Sequence, residues 1–259
     1  MIGVFDSGLG GLSVLDALVT ALPRADITYF ADTAHVPYGN KEDHFIQERV
    51  LHIGSELVGQ GCRLLVVACN TATAAAVESL RRRFPNVPVV GVEPGVKPAA
   101  HASPSRRIAI LATESTARSD RLARLIRDHA GHCNVHVEAC PGWATRVEHL
   151  QLHGADLEAD ARGRLTPLLD AGVDQVVLGC THYGFLRPLL ESVTAGRAEL
   201  VDVASAVAQQ ARRLARDSAE GHGRLRFEAS AAPERVLAAL PALGLQRLAA
   251  RTELAGKRG

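Results

Sequence analysis

The sequence predicts an α/β protein of two pseudo-symmetric halves facing each other, each a mostly parallel sheet flanked by helices. Three observations carry this. Short apolar runs rich in Val, Ile and Leu alternate with stretches of helical periodicity along the chain. The runs of the first half echo those of the second. Runs in matching places also end in matching polar and reactive residues.

Eight runs read as strands: IGVF (2–5), ITYFA (27–31), RLLVVA (63–68), VPVVGV (87–92), RIAILA (107–112), VHVEA (135–139), DQVVLG (174–179) and AELVDV (198–203). Their near-continuous apolar character suits parallel strands buried on both faces. Between them lie stretches such as TAAAVESLRRRF (73–84), apolar at helical spacing, closed by Arg81–Arg83 and stopped by Pro85 and Pro88. IGVFDSG (2–8) resembles IAILATE (108–114), and VVACNT resembles VLGCTH, placing Cys69 opposite Cys180. EPGVKPAAHASPS (93–105) reads as a crossover, and the segment from about Ala204 as Arg-rich helix returning to the first half. The expected domains are 1–95 plus 205–259, holding Asp6 and Cys69, and 96–204, holding Cys180 and His182.

Composition narrows the function classes. The 259 residues are 47% hydrophobic and 22% charged, with 29 basic against 28 acidic side chains and a net charge of +1. That balance indicates a soluble globular protein and points to neither nucleic acid nor membrane as a partner. MIGVFDSG enters a strand without a basic leader, so no secretory signal is expected. Five scattered cysteines without a CxxC pair suit a reducing cytoplasm.

In parallel α/β sheets, ligands bind beyond the carboxyl ends of the strands. Four segments end there with polar residues: Asp6-Ser7-Gly8, Cys69-Asn70-Thr71, Thr113 to Thr116, and Cys180-Thr181-His182. Each is expected to lead into a helix N-terminus, whose free amides suit a small carboxylate substrate. The glycines of DSGLGGLS (6–13) do not match GxxxxGK(S/T) and match GxGxxG only loosely, with Ser13 in the last position, and Asp6 would repel a phosphate. Cys62, Cys133 and Cys140 read as small buried hydrophobes, and Trp143 as a packing residue. DHAGHCNVHVEAC (128–140) alternates as a half-buried strand and matches no zinc spacing, so no metal is expected.

Cys69 and Cys180 differ from the other thiols. Each sits where a strand opens into a polar turn, where a helix N-terminus is expected to depress a thiol pKa. His182, two residues beyond Cys180, is placed to polarise that thiol, and Asp6 can serve Cys69. One thiol would suggest a Cys–His amidase or hydrolase. Two thiols on facing halves suggest removal of an α-proton from one face of a small chiral acid and its return to the other. Pyridoxal chemistry would need a Schiff-base lysine, but none of Lys41, Lys97 and Lys257 sits at a strand end. No cofactor is therefore expected; closure, water exclusion and amide donors must stabilise the carbanion.

The chain resembles the cofactor-independent glutamate racemases of the aspartate/glutamate racemase superfamily. The matching blocks are GVFDSGLGGLSVL (3–15), YFADTAHVPYG (29–39), VVACNTATA (66–74), GVEPGVKPA (91–99), LATESTARS (111–119) and GCTHYGFLRP (179–188), in family order. The resemblance implies two α/β domains with the active site in the interdomain cleft, and interconversion of L- and D-glutamate for peptidoglycan. It implies acid/base roles for Cys69 and Cys180, assisted by Asp6 and His182 respectively. Substrate binding would fall to Asp6, Ser7, Pro37, Tyr38, Gly39, Cys69, Asn70, Thr71, Thr116, Cys180, Thr181 and His182. The resemblance also implies a catalytic glutamate, which falls on Glu148, after Ala139-Cys140-Pro141.

The chain departs from the family in GWATRVEHL (142–150), less apolar than usual, and at Gly184, where many members have proline. Neither departure touches the thiols. A racemase of aspartate or another small acidic amino acid is the near alternative; a Cys–His hydrolase, or a binding protein for an acidic metabolite, is the distant one. Of oligomeric state the sequence says nothing beyond the general prevalence of homodimers.

Overall fold

The computed structural model describes residues 1–253. Residues 254–259, part of the expected first domain and including Lys257, lie outside the described residues. The chain opens with β1 (Ile2–Asp6), α1 (Leu12–Ala21), β2 (Ile27–Ala31), α2 (Asp43–Gly59), β3 (Leu64–Val67), α3 (Asn70–Arg83) and β4 (Val89–Gly91). It crosses over through α4 (Val96–Ala102). A second set follows: β5 (Arg107–Ala112), α5 (Glu114–Arg118), α6 (Asp120–Ala130), β6 (Asn134–Ala139), α7 (Trp143–Glu148), α8 (Ala155–Asp170), β7 (Gln175–Leu178), α9 (Arg187–Thr194) and β8 (Glu199–Val201). The described chain closes with α10 (Ala204–Leu214), β9 (Leu225–Ala229), α11 (Pro233–Ala239), α12 (Gln246–Ala249) and β10 (Thr252–Glu253). All eight strands expected from the sequence form.

Two parallel sheets result, ordered β10-β9-β2-β1-β3-β4 and β6-β5-β7-β8. The second repeats the order β2-β1-β3-β4 of the first, so β1 corresponds to β5 and β3 to β7. The sequence echo therefore falls on equivalent strands. Alternation along each strand explains the unbroken apolar runs. Val4, Leu64 and Val66 join Ala109, Leu111, Val176 and Leu178 in one core shared by both lobes. Phe5, Leu65 and Val67 face a second core under α2 and α3. Ile108, Ile110 and Val177 face a third, under α4 and α6. Both faces of both sheets are covered, as parallel strands require.

The C-terminal segment is not the run of helices expected from its arginines. α10 does pack on α1. LRFEA then forms β9, pairing in parallel with β2 in the register Ile27↔Leu225. Leu225 and Phe227 are buried there, whereas Arg226 and Glu228 alternate with them. Five residues with two charges give too weak a period to stand out beside the helical pattern around them. Among the described residues no helix is long and apolar enough to cross a membrane.

Just beyond β2, Asp32 is fully buried and saturated with donors. Arg49 Nε and Nη2 donate to its two oxygens at 3.0 and 2.9 Å, Tyr38 Oη donates at 2.5 Å, and His35 Nδ1 lies 3.0 Å away. Burial alone would raise its pKa, but Arg49, Tyr38 and His35 outweigh it and hold the carboxyl at about 2, against 3.8 ordinarily. A folded-state value below the unfolded one adds stability that is complete above about pH 4 and is lost as pH falls through 2. The contribution is about 2 kcal/mol. Urea denaturation of wild type and Asp32→Asn should therefore show their stabilities drawing together by about 2 kcal/mol between pH 5 and pH 2.

Candidate active site

The carboxyl ends of the two sheets face each other, and every polar strand end noted in the sequence gathers there. In the first lobe Asp6 closes β1, fully buried. Its Oδ2 accepts the Gly11 amide at 2.6 Å, and Ser7 Oγ donates to Oδ1 at 3.4 Å. Cys69 Sγ lies 3.9 Å from Ser7 Oγ, so the serine links acid and thiol. Burial raises the Asp6 pKa, while the charge of His182 and the Gly11 amide pull it down without cancelling the rise.

Cys69 is the N-cap of α3, and its sulfur accepts the Ala72 amide at 3.5 Å. The depressed pKa expected at such a position is not found. Burial, then the Asp6 charge, drive the thiol well above its usual value, and the Ala72 amide only partly offsets them. A charge on Cys180 raises it further, so the two sulfurs share one electrostatic environment across the cleft.

The second lobe presents a different arrangement. Cys180 does not start an α-helix as expected but opens a 3-10 turn, Thr181–Leu186, with no cap bond to its side chain. Pro188 at the start of α9 explains this, because a proline ring clashes with the carbonyl four residues before it in a continuous α-helix. The tighter turn carries His182 back onto its neighbour, with Nδ1 3.6 Å from Cys180 Sγ. His182 Nε2 lies 2.5 Å from Glu148 Oε1 at the end of α7. Burial works against the imidazolium, but Cys180 and Glu148 together outweigh it and hold the His182 pKa well above the usual value.

Glu148 also crosses the cleft: its Oε1 accepts the Leu9 amide at 2.7 Å. Here the glycines of DSGLGG find their purpose. A Cβ on Gly8 would collide with the Glu148 carboxylate, and one on Gly10 with His182 Nδ1 and Thr181 Oγ1. The run is small because the other lobe's reactive side chains lie against its backbone. A second seam is made of hydroxyls. Thr71 Oγ1 lies 3.0 Å from Thr113 Oγ1 and 3.3 Å from Thr116 Oγ1, and the latter two are 3.1 Å apart.

The other expected binding residues stand around this centre. Gly39 backs onto Thr113, where a Cβ would meet the Thr113 Cβ at 2.8 Å. The Tyr38 side chain belongs to the core beneath α2, with its hydroxyl committed to Asp32. Asn70 is buried, and its Nδ2 has no hydrogen-bond partner among the described residues, leaving a donor for a ligand. A cavity of about 620 Å³ reaches Asn70, Cys180 and Thr181 from the side of α1 and α10. Another of about 490 Å³ reaches Leu9, Pro37 and Glu148 from the side of α7 and α11. Among the described residues no group of three or more His, Cys, Asp or Glu is arranged to hold a metal ion. Sequence reasoning did not find the Leu9 amide or the place of Thr113 in the seam, since neither is visible before the lobes meet.

An acid and thiol on one side face a thiol, imidazole and carboxylate on the other, a set chemically able to move protons between two faces of a small anion held between them. Residues 2–211 match the Asp/Glu/Hydantoin racemase family, and the chain belongs to it. A glutamate racemase of Ralstonia nicotianae is 46% identical over 249 residues, covering 96% of this chain and 88% of that one. A glutamate racemase isoform from Bacillus anthracis superposes with a TM-score of 0.85 at 27% identity, covering 98% and 96% of the chains. The Francisella tularensis glutamate racemase, solved in complex with D-glutamate, gives 0.83 at 25% identity, with 98% and 95% covered.

The raised His182 pKa has a direct check. In ¹⁵N-edited NMR, both His182 ring nitrogens should keep the imidazolium pattern to higher pH than those of exposed histidines. A neutral His182 ring at pH 7 would contradict the pairing described.

Proposed function

We propose that this chain interconverts L- and D-glutamate by direct proton transfer between two thiols, without a cofactor. The supporting observation is the pair of unlike half-sites, Asp6–Ser7–Cys69 and Cys180–His182–Glu148, meeting across one cleft. Glutamate lies between the sulfurs, with the unpaired Asn70 amide, Thr71, Thr116 and Thr181 to receive its carboxylates. One sulfur, as thiolate, removes the α-proton; the opposite thiol delivers a proton to the other face, inverting the carbon. The sulfurs exchange roles in the reverse direction.

Each half-site supplies its thiolate differently. Cys69, held protonated by burial, passes its proton toward Asp6, whose raised pKa makes it a better acceptor than an exposed carboxylate. His182, its pKa held well above the usual value and its ring braced by Glu148, stands beside Cys180 to exchange a proton with it. Of the lysines a pyridoxal mechanism would need, Lys41 and Lys97 are exposed, whereas both thiols are buried. The family relationship and the five free cysteines support a reaction in a reducing cytoplasm that supplies D-glutamate for peptidoglycan.

Cys180, His182 and Glu148 alone would also fit a Cys–His–acid hydrolase. The second thiol distinguishes the two. Cys69→Ser and Cys180→Ser should each lower kcat/KM for racemisation by about 10²–10⁴-fold, followed by polarimetry. A near-normal Cys69→Ser enzyme would favour the hydrolase. In D₂O the product should carry deuterium at its α-carbon, and added pyridoxal phosphate should leave the rate unchanged.

A further inference from the structure

Tyr29, in the middle of β2, touches neither thiol. It is fully buried, its ring packed edge-on against Phe227 at 5.9 Å. Its hydroxyl donates to the Gly8 carbonyl at 2.7 Å. The same peptide unit presents its other end, the Leu9 amide, to Glu148 at 2.7 Å. Glu148 then meets His182, and His182 meets Cys180. One chain of contacts thus runs from the first lobe's sheet to the second lobe's thiol.

We propose that Tyr29 is a positioning residue for proton transfer at Cys180, acting across the lobe boundary through the Gly8–Leu9 peptide, on the racemase reading given above. A peptide is planar, so fixing its carbonyl fixes the direction of its N–H. Gly8 has no Cβ and its peptide has no steric brake of its own. The Tyr29 hydroxyl supplies that brake, aiming the amide at Glu148, which in turn orients His182. The half-site of one lobe is completed by the other lobe's backbone and is fully formed only in the closed cleft.

The α-deuterium isotope effect on kcat/KM, measured in each direction, tests this. With α-deuterated substrate in H₂O it reports only the abstraction step, made by Cys180 in one direction and by Cys69 in the other. Cys180→Ser identifies the first direction as the one whose isotope effect it raises. Tyr29→Phe keeps the ring packing and removes only the hydroxyl. It should lower kcat/KM equally in both directions, on the order of tenfold, the worth of one hydrogen bond. The isotope effect should rise where Cys180 abstracts and fall where Cys69 does.

A purely local role in the Tyr29 lobe would give the opposite pattern, and an equal change in both directions would mean general loosening; either overturns the proposal. Gly8→Ala pushes directly on the Glu148 carboxylate and should give the same crossed pattern, which decides the matter should Tyr29→Phe not fold. Unchanged isotope effects in both variants, with an active wild type, overturn the proposal alone. A wild type unable to racemise glutamate overturns the reading beneath it instead.

Discussion

The partly buried Glu148 carboxylate is the constraint around which the rest is arranged. A charged group removed from water must be paired and hydrogen-bonded or it costs several kcal/mol. Glu148 meets that demand with one partner from each lobe, His182 of its own and the Leu9 amide of the other. Separating the lobes strips it of one partner, so closure and the state of the His182 imidazole are linked. The small residues of the facing loop follow from the same demand, since no side chain fits at Gly8 or Gly10 while the carboxylate and imidazole occupy that space.

The second lobe holds its end of this contact rigidly. α7, which ends in Glu148, is anchored at its start by Trp143, whose indole donates to Asp160 at 2.7 Å. The Trp143 ring packs edge-on against Tyr183, 5.3 Å between centroids. Tyr183 follows His182 directly, and its hydroxyl donates to the carbonyls of Ala112 and Cys140 at 3.2 and 3.1 Å. Strand ends β5 and β6, the turn bearing His182 and the helix bearing Glu148 are thereby fixed to one another. The packing role expected of Trp143 accounts for its burial, and its place at the foot of α7 ties that role to the position of Glu148.

Much of this was legible in the sequence where the signal is local. Apolar runs give strands because both sheet faces are covered, and the thiols stand out because reactive residues interrupt those runs at equivalent points. What the sequence hid is long-range. Nothing around Leu9 marks its amide as a partner of Glu148, 139 positions away. Tyr29 reads as any aromatic in a strand. β9 is set by pairing with β2, far back in the chain, and with β10. The protonation of Cys69 shows two effects competing. A helix N-terminus is worth about 0.3–1 kcal/mol to an anion, whereas full burial shifts a pKa by up to several units, so desolvation prevails.

The three hydroxyls of Thr71, Thr113 and Thr116 form a seam of another character. Each can give a hydrogen and receive one, so the trio can run in either sense around its small circle, and each member can turn to water when parted. No ion is stranded and no fixed polarity has to be restored on rejoining. Parting the lobes at this trio costs only hydrogen bonds that water can replace, whereas parting them at Glu148 takes the Leu9 amide from a carboxylate.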